Sequence, residues 1–424
     1  MVIYVLVFLL LVALSVPISI GLGLTAIVFA IAETRLPLLV IVQRMFTGID
    51  SFPLMAIPFF ILAGNLMNTG GVTQRLIAFC NVLVGFLRGG LAAVSIVGSM
   101  IFAGISGSSV ADASGLGSIL IPAMTKEGYD PNYAAAINAT SSTVGVIVPP
   151  SIPMVLLGVV ASVSVRDLFI GGALPGIAVA GTLLVISTFI SYKRGYPKHE
   201  RASFTEALQI TLRCIPALMM PVIIVGGIIF GIFTPTEAAV IAVIYALGVG
   251  LFLYRELSIK KIIEALNETG IQTAVVLLVI ATASVISWLL SYNMLPQKLA
   301  QWVQTVFPSE TGVLAVIAII GLIAGTVIDM APAIILFGSV FTPVATRVGC
   351  DPVHFGVTLV FALAIGLFTP PVGTTLIISC YISKTSMFDA FKSCLPFLLG
   401  MLVILGLLVL FKNFALFLPN LLFH

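Results

Sequence analysis

Two carboxylates, Asp112 and Asp329, stand inside apolar runs that are otherwise almost free of charge. A charge at membrane depth costs about 2.5–3.5 kcal/mol or more, so each needs a partner or a water-filled cavity. Two roles are open to them: coupling or gating at a cavity, or bonding backbone amides to cap a tight turn, as Asp commonly does. Close by, Pro149-Pro150 and Pro370-Pro371 interrupt runs long enough to cross a bilayer once. A double proline removes two amide donors and pushes the preceding residue out of the helical region, so carbonyls of the previous turn lose their partners. Freed carbonyls attract a hard cation such as sodium, whose hydration shell oxygen ligands can replace. The half-helix that begins at such a break turns a positive dipole end towards an anionic substrate. Ser108, Ser109, Thr140, Ser141, Ser142 and Thr143 are hydroxyls that could line a substrate pocket, with Ser108 and Ser141, near the breaks, put first, although membrane-helix hydroxyls more often bond a neighbouring helix or their own backbone.

The elements that must hold these groups occur twice. Gly104, Pro122, Asp130-Pro131, Gly145, Pro149-Pro150 and Leu174-Pro175 recur as Gly325, Pro343, Asp351-Pro352, Gly366, Pro370-Pro371 and Leu395-Pro396, an ungapped offset of 351 − 130 = 221. A repeat built of helix breakers in apolar sequence is expected of a secondary transporter whose site lies between two half-units. In each half a re-entrant hairpin, about 91–125 and about 311–346, precedes a broken helix, about 132–163 and about 353–383. The first hairpin centre, Ala103 to Gly117, is too rich in Gly, Ser and charge to face lipid, and Ala324 to Pro332 is its counterpart. Non-helical backbone at that depth is tolerated only where protein or water covers it, so both tips should face a cavity. Asp130-Pro131 and Asp351-Pro352 are expected to start the broken helices, with Asp capping and Pro in the first turn.

Composition places the whole chain in the bilayer. Hydrophobic residues make up 60%, charged residues 8%, and the mean hydropathy is +1.23, whereas soluble domains carry about 25% charge. A net charge of +3 without a basic, aromatic-interleaved stripe gives no nucleic-acid partner. The five cysteines show neither CxxC nor Cys/His ligand spacing, which indicates no disulfide framework and no zinc site. The fold expected is an all-α polytopic membrane protein: first repeat 1–192, linker 193–213, second repeat 214–424. The first segment, to about Ile31, lacks a basic n-region and is read as a retained span. Lys193, Arg194, Lys198, Arg201 and Arg213 make the linker cytoplasmic, and the lack of basic residues before Arg35 fits an N-terminus on the other side. Five crossings per half, with the hairpins not crossing, would invert the second repeat relative to the first.

The motifs Gly-Ile-Ser-Gly-Ser-Ser-Val-Ala-Asp-Ala-Ser (104–114), Tyr-Asp-Pro-Asn-Tyr-Ala-Ala-Ala-Ile-Asn-Ala-Thr-Ser-Ser (129–142), Val-Pro-Pro-Ser-Ile-Pro-Met (148–154) and Phe-Thr-Pro-Thr-Glu-Ala (233–238) run in order through the chain. It resembles the large membrane subunit of tripartite ATP-independent periplasmic (TRAP) transporters over essentially its whole length. The resemblance implies a sodium-coupled importer of organic acids in the bacterial inner membrane, working with a periplasmic substrate-binding protein and a small four-helix membrane subunit by an elevator mechanism. No small subunit is fused to the sequence given. It implies no catalysis and no cofactor beyond sodium as coupling ion. The first sodium site would use Ser106 with the carbonyls of Gly145, Val148 and Pro150. The second would use Gly325, Gly366, Thr369 and Val372, where Val327 replaces the hydroxyl of Ser106. A C4-dicarboxylate and a sialic acid both fit the family, and with no arginine clamp in view the substrate stays open.

Two other readings fit parts of the sequence. A stand-alone sodium-coupled carboxylate or ion transporter would show similar breaks. An intramembrane protease could use Ser106 in Gly-Ile-Ser-Gly, or Asp112 with Asp329, but the only histidines for a base are His199, His354 and His424. His354 follows a helix start and has no metal or triad partner in view, and Glu237 after Thr234-Pro235 reads as a helix-start acid.

Overall fold

A computed structural model describes residues 6–8, 10, 11, 14, 16–34, 37–307 and 309–423. Arg35, His424 and much of the first segment before Val16 lie outside them. Among the described residues the regular structure is helical, apart from one isolated bridge between Arg88 and Lys198. Eight helices are long and apolar enough to cross a membrane, and leucine, isoleucine, valine and phenylalanine side chains cover much of the outer surface.

Both hairpins and both broken helices form, at matching offsets. The first hairpin runs Gly90–Ser106, turns at Gly107, and returns as Ser109–Gly115 and Gly117–Lys126; the second runs Glu310–Val327 and returns as Met330–Arg347. The returning arms start 330 − 109 = 221 residues apart, as do the broken helices Pro131–Ser142 and Pro352–Gly366 (352 − 131). The Asp-Pro doublets act as expected. Asp130 accepts from the Asn132 amide at 2.9 Å, and Asp351 from Val353 at 2.8 Å and His354 at 3.3 Å, each satisfying a first-turn N–H that the helix cannot. Past the breaks the chain resumes as the short helices Ile152–Ala161 and Thr374–Ser383. Both double prolines contain a cis peptide bond. The freed turn before the first resumption is tied back by Ser151, whose hydroxyl donates to the Val146 carbonyl while accepting from the Met154 amide.

The short helices pack on the opposite half. Ile152–Ala161 lies on Met330–Arg347 and Pro352–Gly366, while Thr374–Ser383 lies on Pro131–Ser142 and the returning arm of the first hairpin. Hydrogen bonds fasten the second exchange: Asn138 Nδ2 donates to Ser379 Oγ (2.8 Å) and to the Ala113 carbonyl (2.9 Å), and Thr375 Oγ1 donates to the Ala139 carbonyl (3.1 Å). Asn138, Ser379 and Thr375 are fully buried, where an unmade hydrogen bond costs about 1–3 kcal/mol.

Around this unit stand Ala56–Thr69, Val72–Val84, Phe204–Ile229, Pro235–Gly248 and Ile259–Tyr292. Ala56–Thr69 packs on Pro235–Gly248, and Val72–Val84 on Phe204–Ile229. Ile259–Tyr292 crosses Ile18–Phe29, Leu38–Ile49, Ala56–Thr69 and the second hairpin. Glu237 is a helix-start acid, in a reciprocal capping box with Thr234.

Four expectations change in detail. The linker 193–213 is an irregular strap only between Arg194 and Phe204, because Ser203 and Glu206 already start the helix Phe204–Ile229. The strap is pinned to the first hairpin's base by His199–Glu127 (3.0 Å) and Arg194–Asp130 (3.2 Å). Of the five crossings expected in the first half, the apolar segment 72–87 forms a helix of 13 residues, which at 1.5 Å per residue reaches about 20 Å, short of a hydrocarbon core of about 30 Å. Residues 38–49 and 295–306, which lie outside the hairpins and broken helices read from sequence, are short amphipathic helices that expose Leu38, Leu39, Val42, Phe46 and Trp302. Finally, the second hairpin's arms are 18 residues each, so length alone does not distinguish them from spans.

Candidate functional site: two hairpin ends on two helix breaks

At the first junction the hairpin end meets the helix break directly. The Ile152 amide donates to the Gly107 carbonyl at 3.2 Å. Gly107 has φ +60°, and a Cβ there would come within 2.9 Å of the Pro150 carbonyl oxygen, so both the turn and the close approach require glycine. Ser106, at the last turn before it, donates its hydroxyl to Asp112 Oδ1 and accepts from the Ser108 amide at 3.2 Å. Asp112 is 0% exposed, and its other oxygen, Oδ2, makes no hydrogen bond. That oxygen faces the break: a Cβ on Gly145 would lie 2.5 Å from it and 3.1 Å from Ala103 Cβ. Two of the first-site residues, Ser106 and Gly145, therefore meet at a buried carboxylate that sequence reasoning assigned to coupling or capping, and a third, Pro150, approaches the adjacent Gly107. A buried anionic oxygen without a donor demands a proton or a cation.

The second junction is built mostly from backbone. A Cβ on Gly325 would meet the Leu363 carbonyl at 2.6 Å, and Gly366 abuts the Gly325 backbone so closely that no side chain fits. The Val372 amide donates to the Thr326 carbonyl at 2.9 Å, and the Thr369 amide to Gly366 at 3.0 Å. Gly325, Gly366, Thr369 and Val372 are thus drawn together. The Thr369 hydroxyl donates to the Ile365 carbonyl (2.8 Å), which leaves its lone pairs free to accept. Val327 supplies nothing comparable to Ser106.

Between the hairpin ends and the surrounding helices lies a cavity of about 470 Å³. Ser106 to Ala111 of the first hairpin and Asp329 to Ala331 of the second line it, facing Asn65 and Asn68 of Ala56–Thr69 and Glu268 and Gln272 of Ile259–Tyr292. Among the described residues that line it none is basic. Three helices that begin after Ser108, Ser151 and Asp329 contribute first-turn residues to its lining, so positive dipole ends point towards it. Ser108 caps its helix through the Ala111 amide at 3.4 Å; Asp329, its 221-offset counterpart, makes no side-chain cap bond and turns to the cavity wall.

The chain's kinship is decided by comparison. The family described as tripartite ATP-independent periplasmic transporter, DctM component, matches residues 5–414. This chain belongs to that family. Similar TRAP large permeases include the sialic acid TRAP transporter large permease protein SiaM of Vibrio cholerae, 39% identical over 407 residues, covering 96% of this chain and 95% of that one. The C4-dicarboxylate TRAP transporter large permease protein DctM of Rhodobacter capsulatus is 36% identical over 422 residues, 96% of each chain. The fold also matches the crystal structure of the Alcanivorax borkumensis YdaH transporter, with a TM-score of 0.68 over 97% of this chain and 98% of that one at 15% identity. A TRAP large permease with eight helices long and apolar enough to span among the described residues is a multi-pass protein of the bacterial inner membrane. Membership favours the tripartite reading over a stand-alone transporter, and the relatives are permeases rather than proteases. The geometry agrees, since Ser106 has a carboxylate as partner while His199 bonds Glu127 and His354 bonds the Leu408 carbonyl.

In this TRAP permease the site residues read from sequence separate into three places. Ser106 and Ser108 line the cavity together with Asp329. Asp112 lies buried behind the tip. Ser141 is elsewhere: it bonds Ser95 (3.3 Å) and Ser99 (3.2 Å) between hairpin and broken helix and takes no part in the cavity lining. The polar residues that sequence reasoning missed are Asn65, Asn68, Glu268 and Gln272. Their signal was present, since amides and a carboxylate inside long apolar helices are costly unless they face a cavity.

Proposed function

We propose that this chain is the large membrane subunit of a sodium-coupled importer of an organic acid, fed by a periplasmic binding protein and assembled with a small membrane subunit. The observation that carries the proposal is the unbonded Oδ2 of Asp112, buried beside Gly145 where a hairpin end closes on a helix break. A sodium ion there would be held by oxygens of Ser106, Gly145, Val148 and Pro150, and would satisfy the carboxylate without a full charge left in a dry site. Gly325, Gly366, Thr369 and Val372 would hold a second ion at the backbone junction.

The role of the ions follows from the cavity's charge. Among the described residues its walls carry Glu268 and Asp329 and no basic residue, so an organic anion entering alone would be repelled. Cations at the adjacent junctions offset that repulsion and draw each hairpin end onto its break, which completes the wall formed by Ser106 and Ser108. Substrate affinity then depends on sodium, and by linkage sodium affinity depends on substrate. A cavity between the hairpin unit and Ala56–Thr69 with Ile259–Tyr292 supports an elevator mechanism, in which the interlocked unit slides against those helices. Names of relatives point to a sialic acid or a C4-dicarboxylate as substrate.

The test is uptake of labelled sialic acid and C4-dicarboxylates into proteoliposomes holding this chain and its small subunit. Uptake that needs both an inward sodium gradient and the binding protein supports the reading. Uptake indifferent to sodium overturns it, and sodium-driven uptake without the binding protein overturns its tripartite part.

A further inference from the structure

Away from the cavity, at the base of the second half, three ligating side chains meet with no assigned task. Glu310 opens the second hairpin, Cys350 lies just before the second broken helix, and His354 is in its first turn. One ligand atom from each lies within 4.8 Å of the other two. The cysteines and His354 gave no such signal in sequence, because Glu310 comes from forty residues upstream (350 − 310) and only the fold brings it in. The expectation of no zinc site is therefore reopened by the geometry.

We propose that Glu310, Cys350 and His354 bind a divalent transition metal of the zinc class. His354 is 1% exposed, and its Nε2 bonds the Leu408 carbonyl at 2.7 Å. A carbonyl can only accept, so Nε2 carries the hydrogen, and Nδ1 is the nitrogen whose lone pair can serve a metal. This is the outer-shell bond that orients most metal-binding imidazoles. Nδ1 faces Glu310 Oε1 at 3.6 Å, too far for a hydrogen bond, and neither buried atom makes one. A tetrahedral ion with bonds of about 2.0–2.3 Å holds neighbouring donors about 3.3–3.8 Å apart, which matches that gap. The thiol of Cys350 completes an N, S, O set; on binding it would lose its proton to water and act as thiolate. Glu310 is about one-third exposed and gives the ion a way in from solution.

The first half shows that the architecture does not need these groups. The positions 221 residues earlier are Gly89, Tyr129 and Tyr133 (310, 350 and 354 less 221), and there Tyr129 stacks on Tyr196 while Tyr133 packs against it at a tilt. An aromatic cluster closes one base; at the other Glu310 Oε1 and His354 Nδ1 lack hydrogen bonds, and the Cys350 thiol makes only a long contact of 3.7 Å to the Asp351 carbonyl. A metal would brace the hairpin start, the broken-helix start and, through His354, the helix Met387–Leu410.

The test uses the full chain in nanodiscs, stripped of metal, with Zn²⁺ titrated against a chromophoric chelator and Co²⁺ as spectroscopic probe. One Zn²⁺ per chain is expected, with Co²⁺ giving a thiolate charge-transfer band that Cys350→Ser abolishes. Glu310→Gln, at a partly exposed position that leaves packing intact, should weaken Zn²⁺ at least about 100-fold. Absence of binding overturns the proposal, as does binding that Glu310→Gln and Cys350→Ser both retain. In either case Glu310, Cys350 and His354 are only packing neighbours.

Discussion

Gly145→Ala is the substitution that probes the first junction most directly. The new methyl carbon would sit 2.5 Å from Asp112 Oδ2 and 3.1 Å from Ala103 Cβ. Neither neighbour is a free end: Ala103 lies within the helix Gly90–Ser106, and Asp112 is held by Ser106. The carboxylate must rotate away, which breaks the Ser106 bond and fills the space in front of Oδ2. A hydrogen bond to a charged group contributes about 1.5–3 kcal/mol. At about 1.4 kcal/mol per tenfold, its loss weakens sodium binding by about 10- to 150-fold. The assay is the sodium concentration for half-maximal uptake in proteoliposomes, with protein amount fixed by quantitative blot. Gly181→Ala is the control, since nothing lies within 4 Å of a Cβ at that helix position. Gly145→Ala protein that inserts normally and keeps wild-type sodium activation would refute the assignment of this junction as a cation site.

Other outcomes follow from the same contacts. Asp112→Asn should leave insertion intact and flatten the sodium dependence of uptake, whereas Ser106→Ala should raise the sodium requirement before it lowers expression; both are read in the same titration. Gly64, whose Cβ would rest 3.4 Å from Ser106 Cα, should accept Ala with uptake within about twofold, but Leu should press on the hairpin end and remove most uptake. Asn138→Leu strips partners from Ala113 and Ser379 and should cost about 1–3 kcal/mol, seen as a lower melting midpoint in nanodiscs; an unchanged midpoint would mean the inter-half bonds carry no stability.

Helix breakers made much of the fold legible. Asp-Pro pairs, double prolines and the Gly/Ser-rich tips depend on local chain chemistry, so their positions could be read directly, and the capping box at Thr234 and Glu237 belongs with them. Ser203 and Glu206 carried the same kind of signal, but the surrounding charges masked it and the helix start was read as linker. Leu295–Val306 was missed because Gln297, Lys298 and Gln301 break the apolar run while leaving one face apolar. The pairing of Asp112 with Asp329 came from residue type alone. By register Asp329 matches Ser108 (329 − 221), and Asp112 matches the buried Ala333 (112 + 221), so one carboxylate sits behind a tip and the other on the cavity wall. Asn65 and Gln272 carried a signal for some polar surrounding, but neither they nor Ser141 could be assigned to this cavity, since which face of an apolar helix meets a cavity depends on neighbours far away in sequence.

The exchange of short helices between halves also bears on how the chain is made. When residues up to the linker have left the ribosome, the seat for Thr374–Ser383 beside Pro131–Ser142 is still empty, and the Asn138 amide awaits a serine 241 positions away. The first half must therefore wait in the bilayer, or within the insertion machinery, with polar groups uncovered until almost the whole polypeptide is synthesised. A gene cut in the strap between Arg194 and Phe204 should yield two fragments that are each degraded when produced singly and that rescue one another when produced in the same cell.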